Sequence, residues 1–108
     1  MNKIRFEVRS TLDVMIRTTE EYWELITELK HPIIKKYENE VKETLQDPDE
    51  VRVSKKDSTV FLYYKQYRRL KMRYICVLTK RLNSEGFIIS AYLADKIKKG
   101  NIIWQKKS

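Results

Sequence analysis

Glycine, proline, cysteine and histidine are nearly missing from this chain, which holds two, two, one and one of them in 108 residues. Each shortage removes a class of chemistry. With Gly86 and Gly100 alone there is no glycine-rich loop to cradle a nucleotide phosphate. A lone Cys76 excludes an intrachain disulfide and a cysteine zinc cluster, and its apolar neighbours make it a small core side chain in a reducing compartment. One histidine, with carboxylates set on the outer faces of two helices, supplies no convergent metal set, so no metal and no cofactor is expected. No apolar run is long enough to span a membrane, and the opening MNKIRFEVR is charged and alternating, unlike a signal peptide. A cytoplasmic protein without membrane contact is the expectation.

What the chain has in quantity is positive charge, unevenly placed. Residues 51–108 carry 15 basic and 3 acidic side chains, net +12; residues 18–50 carry 4 and 10, net −6; residues 1–17 carry 4 and 2, net +2. A lobe of that sign favours polyanions, nucleic acid first and an acidic protein second; solvated lysines serving solubility are the plain alternative. Hydrophobic residues at 42% suffice for one core, so residues 1–108 are read as a single domain.

Alternation of Ile4, Phe6 and Val8, then of Leu12, Val14 and Ile16, predicts one or two strands. Thr18 and Glu21 have capping-box spacing ahead of a helix over residues 19–30, with Tyr22, Leu25, Ile26 and Leu29 on one face. Pro32 suits the first turn of a second helix, which runs to Gln46 on Ile34, Tyr37, Val41 and Leu45. Lys36 with Glu40 and Glu38 with Lys42 are its expected surface pairs. Strands near 51–55, 59–66, 71–79 and 87–93 follow as a meander, then a helical turn over Asp95–Lys99 and a last strand, Asn101–Trp104. Two N-terminal helices standing before an antiparallel meander, an α+β fold, are expected.

The most legible pair of strands is the hairpin from Lys71 to Leu93, turning at Asn83, Ser84 and Gly86. Its second strand sets Ser90 and Tyr92 on one face. Before it, Tyr63, Tyr64, Lys65, Arg68, Arg69 and Arg73 interleave rings with cations, a composition that suits stacking on bases and neutralising phosphates of single-stranded RNA. Tyrosines divided between core and surface are the competing reading of the same run. Gln66–Leu70 is read as a mobile basic loop tip. Metal-independent RNA cleavage needs activation of a 2′-hydroxyl, stabilisation of the phosphorane and a proton for the leaving oxygen. His31 is the one imidazole available; Ser90 and Tyr92 are candidates to hydrogen-bond a phosphate or a base, and Arg52, Lys65 or Arg73 to hold the scissile phosphate. One histidine cannot be base and acid at separate positions, so a tyrosine, a lysine or water must share the work.

The chain resembles a family of small bacterial and phage proteins in the barnase, EndoU, colicin and RelE-like nuclease superfamily, above all its short stand-alone cyanobacterial members. The text that carries this is His31-Pro32, Val41 to Arg52 with Ser54, Phe61 to Tyr64, Gly86 to Tyr92, Asp95 to Lys98 and Gly100 to Trp104. The resemblance implies a RelE/barnase-like α+β fold, two N-terminal helices packed on a curved antiparallel sheet, and a metal-independent endoribonuclease, the toxin of a toxin–antitoxin pair. By position it makes His31, Arg52, Ser90 and Tyr92 catalytic and Ser54, Tyr63 and Tyr64 part of the RNA-binding surface. Many relatives carry a second histidine five residues before the His-Pro motif, where this chain has Ile26, and threonine where it has Ser90. The implied partners are RNA and an acidic antitoxin, with a monomer or homodimer as the assembly. Two other readings stand beside it: a module of the same fold that binds RNA or an acidic protein without chemistry, and an interaction protein whose last strand pairs with a partner at the sheet edge.

Overall fold

The structure, a computed structural model, describes residues 3–107. Seven strands form one sheet: β1 (Ile4–Arg9), β2 (Met15–Thr19), β3 (Glu50–Val53), β4 (Val60–Tyr67), β5 (Arg73–Leu82), β6 (Glu85–Ala94) and β7 (Asn101–Gln105). Their order across the sheet is β1-β2-β6-β5-β4-β3-β7. The fold is α+β, and the sheet is mixed where an antiparallel one was expected, because β2 lies parallel to β6 over Met15–Arg17 and Glu85–Phe87. A parallel neighbour needs a long crossover, and the helical stretch between β2 and β3 begins that route.

That stretch holds α1 (Glu20–Glu24), a π-helical turn (Leu25–Lys30), a 3-10 turn (Pro32–Tyr37) and α2 (Glu38–Gln46). Thr19, not Thr18, caps α1, its hydroxyl accepting the Tyr22 N–H at 3.1 Å. Thr18 faces inward, and its buried Oγ1 has no hydrogen-bond partner among the described residues. The π-type bond from the His31 N–H to the Ile26 carbonyl, 2.7 Å, adds a residue to the turn and rotates the expected apolar stripe. Trp23, Ile26 and Thr27 go inward, while Leu29 is left 76% exposed and Leu25 lies at the surface. In the second helical stretch the regular period holds: Ile34, Val41 and Leu45 are fully enclosed. The two surface pairs expected there give way to longer-range ones, Glu38 with Arg5 and Glu40 with Arg69, and Lys42 lies over the Phe6 ring.

Trp23, Ile26, Ile34, Val41 and Leu45 share one core with Phe6, Ile16, Val51, Tyr63, Tyr67, Ile75, Val77, Ile88 and Ala91 from one face of the sheet. Each such aliphatic side chain taken from water contributes about 1.5–3 kcal/mol. The other face carries a smaller cluster, Leu62, Tyr64 and Cys76, with Leu78, Tyr92 and Ile97 packed on it. Ile97 comes from residues 95–100, which leave the end of β6 and cross this face to β7. A helical turn was expected there. Four strand spacings, roughly 19 Å, separate β6 from β7, and seven residue steps cover only about 10 Å as a helix but about 23 Å when extended, so the chain runs as an open strap. Gly100 ends it at φ +89°.

Candidate nucleic-acid interface

Residues opposite one another in register share a face, and two rungs of the strapped face hold the candidate residues. One runs Arg52, Leu62, Leu78, Ser90; the next runs Glu50, Tyr64, Cys76, Tyr92. Ser90 and Tyr92 therefore do lie on one face, half-buried. Beyond Phe87, β6 has no strand partner on its β2 side among the described residues, and the helical stretch closes that edge: the Tyr22 hydroxyl donates to the Ile89 carbonyl at 3.2 Å, and Lys30 Nζ to the same oxygen at 3.4 Å. The next residue, His31, sits between the π and 3-10 turns, half-buried, with its ring centroid 5.6 Å from that of Tyr92. Residues 61 positions apart in sequence thus meet because a helix junction wraps an open strand edge.

Arg52 does not join them. It stands three strands from Ser90, roughly 14 Å at ordinary strand spacing. Its Nε donates to Glu50 Oε2, and its Nη1 to the Gly100 carbonyl at 3.3 Å. Gln105 Nε2 donates to the other Glu50 oxygen at 3.0 Å, so a carboxylate only 8% exposed is satisfied on both sides. Arg52 is a structural counterion and holds the end of the strap.

The interleaved tyrosines and cations divide between the two faces, as alternation in a strand requires. Tyr63 points into the main core, where its hydroxyl donates to Ser10 Oγ at 3.1 Å; Tyr64 points to the strapped face. With 2% and 1% exposure, neither ring offers a stacking surface. Lys65 is on the helix side, its Nζ donating to the Asp47 carbonyl at 2.8 Å and pairing with its carboxylate. Arg73 Nε donates to the Leu70 carbonyl. The expected mobile tip is a 3-10 turn, Arg68–Leu70, tied down on one side: Arg69 bonds Glu40 at 2.8 Å and lies over the Tyr67 ring. Arg68 is exposed there. Ser54 is half-buried beside β3, its hydroxyl accepting the Lys56 N–H.

The strap creates the concavity. On one side a cavity of about 500 Å³ is lined by Ser54, Lys55, Lys56, Leu62, Lys98 and Lys99. On the other, about 150 Å³ lies among Tyr64, Tyr92, Ala94, Lys96, Lys98 and Lys99. Lys98 and Lys99 line both, so the two concavities flank the strap, and Tyr92, which lines the second, meets the His31 ring. Lys55, Lys56, Lys96, Lys98 and Lys99 are exposed, and none forms an ion pair among the described residues. Sequence reasoning had not singled out these lysines. Their signal is present in the two basic loops, Ser54-Lys55-Lys56 and Lys96-Ile97-Lys98-Lys99-Gly100.

Under the strap the titratable groups are held neutral. Burial pushes the Cys76 thiol up to about 12, with the Tyr92 and Tyr64 hydroxyls opposing part of that rise. Burial also raises Tyr64 and Tyr92 well above the ordinary phenol range, reinforced in each by the neighbouring thiol. Tyr92 is therefore a neutral hydrogen-bond donor at physiological pH. The arrangement offers a chain of free ammonium groups for phosphates and, at one end, an imidazole beside a phenol. No helix of the described residues is long and apolar enough to cross a membrane. Comparison with protein-family models, with curated proteins and with solved structures finds no match.

Proposed function

We propose that this protein binds single-stranded RNA along the strapped face of its sheet and cleaves it without a metal, as the RelE-like toxin of a toxin–antitoxin pair with an acidic antitoxin, acting in the cytoplasm. One observation carries the reading: concavities lined by lysines without ion pairs among the described residues flank the strap, and Tyr92, which lines one of them, lies beside the His31 ring. Lys55, Lys56, Lys98 and Lys99 take the phosphates, each contact releasing counterions. Beside Tyr92, His31 accepts the 2′-hydroxyl proton as the 2′-oxygen attacks phosphorus. The neutral Tyr92 phenol and the Ser90 hydroxyl donate to the phosphorane oxygens, and water protonates the departing 5′-oxygen. The products are a 2′,3′-cyclic phosphate and a 5′-hydroxyl.

Arg52 favours a second reading, an RNA-binding module that does not cleave. In this class of mechanism a guanidinium at the scissile phosphate supplies much of the charge stabilisation, and here it is bound to Glu50 on a distant strand. Incubation of the protein with RNA in EDTA, with analysis of the ends, separates the two. Cyclic phosphate ends that disappear with His31→Ala support cleavage. Tight, salt-sensitive binding with no cleavage leaves the module, and equal binding by Lys98→Ala/Lys99→Ala sinks both. If the groove is used, that double variant lowers the slope of log K against log salt by about 0.7 per lysine, the value for single strands.

A further inference from the structure

The two edges of the sheet are built differently. At β1, charged Arg5, Glu7 and Arg9 alternate along the strand with Lys3 just before it, the usual guard against pairing with another chain. At β7 the strand reads Asn101-Ile102-Ile103-Trp104-Gln105 and has no charged residue at all. β3 pairs with one side of it, and no strand of the described residues lies on the other. Ile102 and Ile103 are 50% and 46% exposed. Ile103 falls at a register shift and has no partner across β3. An uncharged, apolar edge of five residues with no strand of the described residues on its outer side is a template for an added strand.

The charges around it say which strand. Lys96, Lys98 and Lys99 precede β7 and Lys106 and Lys107 follow it; Asp95 is the one acidic residue over 95–107. Lys106 is met by Asp47 at 3.0 Å, but Lys98, Lys99 and Lys107 form no ion pair among the described residues. A second copy pairing antiparallel about Ile103 would set residue 99 opposite 107 and residue 100 opposite 106, bringing lysines against lysines between two chains of net charge +8 each. Parallel pairing also aligns lysine with lysine. We propose that the outer edge of β7 is a docking site for an extended acidic segment of another protein, which adds as an eighth strand with apolar side chains on Ile102 and Ile103 and carboxylates at both ends on the flanking lysines. The proposal stands independently of the RNA reading.

The probe is a synthetic peptide of alternating valine and glutamate with acidic ends, and the control replaces its glutamates by lysines. Amide spectra of the isotope-labelled full chain are recorded during titration, with sedimentation to read assembly. Saturable binding of the acidic peptide, with the largest changes over residues 101–105 and new exchange protection there, supports the site. Ile103→Pro removes an N–H at the position that has no register partner on β3, and Ile102→Glu puts a repelling charge on the edge. Each should weaken binding at least tenfold while the spectrum elsewhere stays native. Should one variant misfold, the other and the wild-type spectral map still decide. Equal binding of the lysine peptide, changes confined to the lysine groove around Lys55 and Lys56, no binding at millimolar peptide, or self-association through β7 would each overturn the proposal.

Discussion

Gly100→Ala tests whether the strap is seated as described. Position 100 has φ +89°, where a side chain is strained at a cost of about 1–2 kcal/mol. An added Cβ would also stand 2.8 Å from the Val53 carbonyl oxygen and 2.9 Å from Arg52 Cβ, and the first of these is backbone that cannot swing aside. Crowding of that kind adds about 1–3 kcal/mol, so the total is about 2–5 kcal/mol. A small domain has about 5–15 kcal/mol in all, and each kcal/mol lowers the midpoint by about 4–8 °C, so a fall of at least about 8 °C is expected. The internal control is Gly86→Ala. There φ is not strained and the nearest atom is Ile16 Cγ1 at 3.2 Å, which need give by only a few tenths of an ångström, so the expected cost is about 1 kcal/mol, below that at Gly100. Urea and thermal unfolding of both variants decide the matter. A Gly100→Ala protein within about 0.5 kcal/mol of wild type, or a costlier Gly86→Ala, refutes the geometry of the strap.

Arg52→Ala should destabilise by about 2–3 kcal/mol, because it strands the nearly buried Glu50 carboxylate; the figure is below that of a fully buried pair since Arg52 keeps some solvent contact. Adding Glu50→Gln should return most of the loss in a double-mutant cycle, whereas no coupling would show the pair to be incidental. Asp57 is held down to about 2 by the Thr59 hydroxyl and N–H and by Lys80, against an ordinary 3.8. A depressed carboxylate stabilises the fold above its unfolded value, and that contribution is lost as pH falls from about 4 to about 2. The gap in Tm between wild type and Asp57→Asn should therefore narrow across that window, and a constant gap would show that the carboxylate's charge is not what matters.

Where neighbours in sequence decide the structure, the chain was readable. The alternation that marks β4, β5 and β6 is local, and the hairpin register places Ser90 and Tyr92 together as expected. The second strand was expected two or three residues too early, because Asp13 at φ 63° turns the chain and delays β2 to Met15. Contacts between distant segments left no such trace. The parallel β2–β6 pair, the π turn that exposes Leu29 and the strap are set by span and closure, and no period encodes those. Tyr63 and Tyr64 show the cost of reading a strand as one surface: adjacent residues went to different cores, and the cations near them were already occupied by Asp47, Leu70 and Glu40. The nearness of His31 to Tyr92 follows from a helix junction meeting a bare strand edge, and it was suggested by family resemblance rather than by any pattern in the residues.

The strap also orders events in time. Strands β1 to β6, the helices and the buried residues of the main core all precede residue 95, while β7, which adds Trp104 to that core, joins β3 only after the chain has been laid over β5, β4 and β3. Docking of the last strand is then expected to be the final folding step and its release the first unfolding step, which hydrogen exchange checks by whether amides of 101–105 exchange ahead of those in β5 and β6. During synthesis the sheet ends at β3, with Val51 and Arg52 waiting for a strand still to be made. A chaperone or protease would meet the nascent protein at that edge.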